Sequence, residues 1–235
     1  MRSALVAAAA VAALAACSVP AGASDTAATI SQARRDVTAS TFSILDGADA
    51  VVVRTADLGG DLYRISTPDD ARVRPQVTVD GGIVHLHLGP RDGSGPADVQ
   101  VLLSRDVRWR LDVEAGTGSL TADLRQGSVD GVDVVGGSGA VELALPRPHG
   151  TVPVRMLGGT SRWRLTHPAD VPVRVTVSAG AGTIDVDGDR RSGVAAGTRL
   201  GSTGYPGAAD RYEVDALAGV GALVVSTQPT PTRSA

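Results

Sequence analysis

The chain has 235 residues, 43% hydrophobic and 20% charged, with 29 glycines and only 3% aromatics. Its 22 Lys-plus-Arg positions are all arginine, which excludes a P-loop lysine, a Schiff-base lysine and a Ser-x-x-Lys nucleophile pair. A formal charge of −3 offers no basic field for nucleic acid, and the length allows one domain with a sizeable core.

Residues 1–16 read as an export signal. Arg2 supplies a short positive start, and the apolar run from Ala4 to Ala16 is too short for a bilayer-spanning helix, which takes about 20 residues. The run ends Leu14-Ala15-Ala16-Cys17, which resembles the lipobox of bacterial lipoproteins. The resemblance implies acylation of the Cys17 thiol, cleavage before it, and lipid attachment on the extracytoplasmic face of the cell membrane. Cys17 is the single cysteine, so no intramolecular disulfide can form. A plain secretory signal is the alternative, and it leaves that lone thiol unexplained. Each buried methylene of an acyl chain adds roughly 0.8 kcal/mol of membrane affinity.

Residues 17–40 read as a flexible spacer. They are rich in Ala, Ser and Thr, and Ile30 is the one large apolar residue between Val19 and Val37. Residues 228–235 read as a disordered polar tail.

Residues 41–227 repeat one pattern. An alternating apolar segment runs into a Gly-x-Gly or Gly-Gly turn, and a second alternating segment leaves it. The anchors are Gly60, Gly82, Gly118, Gly139, Gly159, Gly182 and Gly221, and four of the six steps between them fall at roughly 20–23 positions. The two longer steps, from Gly82 to Gly118 and from Gly182 to Gly221, contain loop-like material. Val84/Leu86, Leu120/Ala122, Val141/Leu143 and Ile184/Val186 follow their anchors at period two, and Val77, Val113, Val134, Val154 and Val177 precede them. At Gly60 the phase fails, because Arg64 falls where an apolar residue is expected. A unit of about 21 residues cannot close its own core. Stacked copies can, so the spacing predicts an all-β, single-stranded β-helix (a β-solenoid) of seven or eight coils. Glycines suit corners that demand positive φ. An antiparallel sandwich of hairpins is the competing architecture.

Four segments carry a family likeness: Arg110-Leu-Asp-Val-Glu-Ala-Gly-Thr-Gly-Ser-Leu-Thr-Ala-Asp-Leu124, Val134-Val-Gly-Gly-Ser-Gly-Ala-Val-Glu-Leu-Ala-Leu-Pro146, Val171-Pro-Val-Arg-Val-Thr-Val177 and Tyr212-Glu-Val-Asp-Ala-Leu-Ala-Gly-Val-Gly-Ala-Leu-Val-Val225. Together they resemble the toastrack group of bacterial "putative adhesins" and the C-terminal domain of LiaF-type envelope-stress proteins. The resemblance spans roughly residues 50–226. It implies a β-helix outside the membrane, and it supplies no catalytic residues.

Outward positions of consecutive repeats suggest a charge ladder, with Arg162/Arg164 between Glu142 and Asp185/Asp187. In Arg162-Trp163-Arg164 and Arg108-Trp109-Arg110 the tryptophan then points inward as core. The rival is an Arg-Trp patch for anionic glycans or lipid headgroups. Asp185, Asp187 and Asp189 hint at calcium, but Gly188 is misplaced for an EF-hand loop. His85-x-His87 has metal-compatible spacing without a visible third ligand. Ser138 in Gly136-Gly-Ser-Gly-Ala140 lacks the final glycine of a nucleophile elbow. No catalytic, cofactor-binding or metal residue is therefore assigned, and Cys17 is the one site residue, for lipid attachment. The expected role is non-catalytic: an envelope scaffold, an interaction module or a stress-linked module, with a protein partner at the envelope and no nucleic acid. A surface glycan-binding or glycan-acting β-helix is the alternative. Strand edges at the column ends offer docking surfaces.

Overall fold

The alternating segments become strands throughout. The computed structural model describes residues 29–202 and 204–228, so Cys17, the export signal and residues 229–235 of the tail lie outside the described residues. In chain order the strands are β1 (Thr29–Ala33), β2 (Ala39–Ile44), β3 (Ala48–Ala56), β4 (Asp61–Ser66), β5 (Val73–Asp80) and β6 (Ile83–Pro90). Next come β7 (Asp98–Ser104), β8 (Arg108–Val113), β9 (Thr117–Asp123), β10 (Ser128–Val134), β11 (Ser138–Ala144), β12 (Thr151–Met156) and β13 (Thr160–His167). The last are β14 (Val173–Val177), β15 (Ala181–Val186), β16 (Asp189–Val194), β17 (Thr198–Gly201), β18 (Arg211–Ala216) and β19 (Val220–Thr227), with one 3-10 turn at Tyr205–Gly207.

They form two mixed sheets. One has ten strands in the order β1-β4-β7-β3-β9-β11-β13-β19-β15-β16, and the other has nine in the order β17-β14-β18-β12-β10-β8-β2-β6-β5. From β8 to β15 the chain alternates between the sheets, and like strands of successive passes pair in parallel. At the usual strand spacing, nine or ten strands make a column about 40–45 Å long.

Stacking is not in simple sequence order. β18 lies between β12 and β14, and β19 lies between β13 and β15. Likewise β2 sits between β8 and β6, and β3 between β9 and β7. The pair β2–β3 is thus slotted inside β6–β7, and the pair β18–β19 inside β14–β15. Each end is closed by a reversed rung: β4 and β5 pair antiparallel with β7 and β6, and β16 and β17 pair antiparallel with β15 and β14. β1 adds antiparallel to β4. Residues 29–33 and 39–40, assigned to the spacer from sequence, therefore belong to the sheets, because Ile30 pairs with Ile65 at the end of the core.

The glycines serve two different purposes. In the two-residue hairpins Gly81-Gly82 and Asp187-Gly188, both residues have positive φ (57°, 82°, 50° and 94°), as a type I′ turn demands. The coil corners need something else. At Gly118, Gly139, Gly182 and Gly221 a Cβ would come within 2.5 Å of the neighbouring coil's carbonyl oxygen, and none of the four has positive φ. Close approach, not backbone handedness, keeps these positions glycine, which corrects the expectation of positive φ. Pairing of Ala140 with Arg162 makes Ser161, not Gly159, the equivalent of Gly139. Gly60 belongs to the turn into the reversed strand β4, whose inward residues are Tyr63 and Ile65, which explains why Arg64 falls out of phase.

The core lies between the sheets. One inward row of the nine-stranded sheet reads Val79, Val84, Phe42, Leu111, Val132, Val154, Val214, Val175, Leu200. The facing sheet carries Ile65, Val101, Val53, Ala122, Leu143, Leu165, Val225 and Val186 in one row. A second row holds Val99, Val51, Leu120, Val141, Trp163, Leu223 and Ile184. Most of these side chains are fully buried, each worth about 1.5–3 kcal/mol of transfer free energy. Trp109 stacks edge-on against Phe42 at 6.3 Å, and its Nε1–H donates to the Ser104 carbonyl at 2.9 Å.

Gly139→Ala should lower stability to denaturant by about 1–3 kcal/mol, because the neighbouring backbone must move. Gly60→Ala, in open space, should change it by less than about 0.5 kcal/mol. Equal losses at the two positions would contradict the close-approach explanation.

Candidate functional site

The outer faces carry the polar chemistry. The densest cluster lies across β8, β10 and β12, where Asp112, Asp133 and Arg155 stand side by side. Arg155 Nε donates to Asp133 Oδ1 at 2.7 Å, Arg110 Nη2 donates to Asp133 Oδ2, and Arg110 Nε lies 3.2 Å from Asp112 Oδ1. Gly131 makes this possible, since a Cβ there would meet Arg110 Nη1 at 2.7 Å. Pro153 occupies the middle of β12 without breaking the sheet. A bulge between Val129 and Gly131 interrupts the β10 register, and β10–β12 pairing begins only at Val132 and Val154.

The two carboxylates are tuned in opposite directions. Burial would raise Asp133, but hydrogen bonds and charge from Arg155 and Arg110 outweigh it and hold the carboxyl below the usual range. Burial pushes Asp112 up; Arg110 opposes this, and Asp133 and Glu114 add to it. A depressed carboxylate contributes stability above its unfolded pKa and loses it as pH falls through the folded value. Asp112 has the opposite sign, since the fold takes up its proton before the unfolded chain does.

A second cluster closes the 188–210 excursion. Tyr205, 6% exposed, donates its hydroxyl to Glu213 Oε1 at 2.7 Å, with the Arg174 and Arg211 guanidinium carbons 4.8 and 5.0 Å from its ring centre. Burial and Glu213 push its phenol up to about 12. The arrangement is a latch and offers no reactive group.

The structure separates most residues that the sequence groups. Trp109 and Trp163 are each 1% exposed, so the Arg-Trp patch lacks its aromatic surface. Arg164 Nε reaches Glu142 Oε1 at 4.0 Å, but the inserted β19 puts Val224, not Asp185, on its other side. The expected ladder is therefore cut in half. Asp185, Asp187 and Asp189 diverge: Asp185 Oδ1 accepts from Gly188 N at 3.0 Å, Asp187 faces buried His167 Nε2 at 3.4 Å, and Asp189 binds Arg191 at 2.8 Å. His87 Nδ1 lies 3.3 Å from Asp46 Oδ2, and no group of three metal-ligating side chains exists among the described residues. Ser138 Oγ, buried, shares a 3.0 Å hydrogen bond with Thr117 Oγ1 on the next coil.

Depressions are shallow. Two, of about 150 and 200 Å³, flank Arg164 and Glu142 over a floor that includes Ala140 and Ala144. A wider cleft of about 600 Å³ beside β5 is lined by Arg74, Pro90, Arg91 and Asp92. None brings together a nucleophile, a base and an oxyanion donor. The Asp133 cluster escaped the sequence reading because its members lie 22 and 23 residues apart. The signal was present all the same, in outward Asp112, Asp133 and Arg155 recurring at the coil spacing.

Carboxyl NMR titration should show Asp112 titrating at higher pH than Asp133. Asp133→Asn should cost about 2–4 kcal/mol near neutral pH and flatten the loss of stability on acidification. Coincident titration of the two carboxyls would contradict the assignment.

No protein-family model and no curated protein matches the chain. Among solved structures, it is similar to a "putative cell adhesion protein" from Clostridium sporogenes ATCC 15579, with a TM-score of 0.66 and 16% identity over 86% of this chain and all of that one. A "putative adhesin" from Bacteroides fragilis NCTC 9343 aligns over 84% of this chain and 96% of its own, at 10% identity and a TM-score of 0.29, too low to carry weight. At so low an identity, the Clostridium likeness shows that the two proteins share a fold.

Proposed function

We propose that this protein is a non-catalytic interaction module of the cell envelope, held at the outer side of the membrane by a lipid on Cys17. One observation carries the reading: the sole cysteine follows Leu14-Ala15-Ala16 directly, and the stretch from Ser18 to Ala28 that comes after it is mostly small or polar. The fold supports it. A column that puts both tryptophans and nearly all large apolar side chains inside leaves a polar outer surface suited to contact rather than chemistry. The name of the Clostridium protein, a "putative cell adhesion protein", points the same way, as does the toastrack-like sequence pattern. We read the column as a β-solenoid whose ends are rewound. Scaffolding and a stress-linked role are finer versions of the same proposal.

Fractionation of cells tests it. The wild-type protein should travel with membranes, and Cys17→Ser should release it to the soluble fraction. Retention of Cys17→Ser on membranes would place the anchor elsewhere. Turnover of cell-wall polymers by the purified protein would overturn the non-catalytic reading in favour of a glycan-acting one.

A further inference from the structure

The two ends of the column are built differently. At the β16 end, both inward rows of the ten-stranded sheet finish in charge: Ile184 pairs with Arg191 and Val186 with Asp189. These two side chains form an ion pair at 2.8 Å across the mouth of the core, each about half exposed. Inward charge on an edge strand is a known guard against further pairing. At the β1/β5 end no inward row finishes in charge: two finish in apolar residues, and Gln32 closes the row of Tyr63. Ile30 closes one and is half-buried, and Val79 closes another at 48% exposure, the highest among the exposed large apolar residues described. Val77 beside it is also only half-buried. No charged side chain takes an inward register position on β1 or β5.

From this asymmetry we infer that the β1/β5 end rests on the bilayer surface, with Ile30, Val77 and Val79 meeting the lipid interface. The inference rests on the lipid-anchor reading above. Chain direction selects the occupant. β1 is the outermost strand of its sheet at this end, and Thr29 follows Cys17 by 12 positions, a reach of at most about 43 Å when fully extended. That reach is about the length of the column, so an anchored Cys17 tethers the apolar end, and not the charge-closed end, directly to the membrane. Arg35 follows β1 and Arg74 lies on β5, and neither side chain has an ion-pair partner among the described residues. Asp36 and Asp80 share the rim, so the contact is chiefly apolar and only weakly salt-dependent. The exposed ridge of Val135, Leu157 and Leu217 lies at a coil corner away from this end, and nothing indicates what covers it.

The acylated protein suits a thiol-labelling test, because an introduced cysteine would be the only reactive one. Val79→Cys and Ser31→Cys report on the apolar end, and Ser192→Cys on the opposite end. Each variant carries an environment-sensitive fluorophore and sits on vesicles of equimolar phosphatidylglycerol and phosphatidylcholine doped with spin-labelled lipid. We expect several-fold stronger quenching at 79 and 31 than at 192, with a blue-shifted emission at 79. Equal quenching at both ends would overturn the inference and leave the anchor intact. So would a label at 79 that is shielded only as protein density rises, which would mean that a second copy covers this end. Failure of the acylated protein to partition onto vesicles would remove the anchor and this inference with it. Ser31→Cys keeps the test decisive if Val79→Cys does not fold.

Discussion

A strand with one apolar face must have that face covered, and a single coil supplies only two such strands. In this protein the cover comes from the facing sheet, while the hydrogen bonds come from the coils on either side. Both demands meet at the corners, where Gly118, Gly139, Gly182 and Gly221 let neighbouring backbones approach to a distance that a Cβ would forbid. Ser161 and Asp49 take the same register position with a Cβ, so the close approach binds at these four glycines and not along the whole row. Continuous inward rows and outer side chains in register accompany this stacking. Insertion of β2–β3 inside β6–β7, and of β18–β19 inside β14–β15, gives these pairs neighbours on both sides. The true ends are instead reversed rungs with guarded edges. β5 carries Pro75, β17 has four residues, and β16 turns Asp189 and Arg191 inward.

The outer surface carries charge in pairs that bridge coils. Asp133 is the clearest case, because it accepts from Arg110 on one neighbour and Arg155 on the other. A slip of either coil by two residues would leave a largely buried carboxylate unpaired, which is costly. The cluster therefore acts on register more than on net stability. The same logic explains Ser138 and Thr117, which satisfy each other at a crowded corner where a catalytic reading would seek a base.

Much of this was legible from period-two alternation. The inward assignments of Leu120, Val141, Trp163, Ile184 and Leu223 hold, because each strand has a neighbour along both edges and one covered face, so its phase cannot drift without exposing core. What the sequence hid was long-range order. Nothing in a local repeat says that β19 will enter between β13 and β15, and the charge ladder written across Arg164 and Asp185 failed for that reason. Glycine counting also merged two classes of turn, since Gly81-Gly82 and the corner glycines look alike as letters but answer to different constraints. From sequence Ile30 reads as an isolated apolar residue in a spacer, because its partner, Ile65, lies far along the chain on a strand that itself breaks the repeat phase.

Parallel stacking across both sheets, with β2–β3 and β18–β19 inserted, makes the column one cooperative unit rather than a linear array that unwinds from its chain ends. Native-state hydrogen exchange tests it most directly. Amides of β2–β3 and β18–β19 should be protected as strongly as those of β10–β11 and exchange only through global unfolding, while β16 and β17 open first. Early exchange of β18–β19, with β14–β15 still protected, would contradict the account.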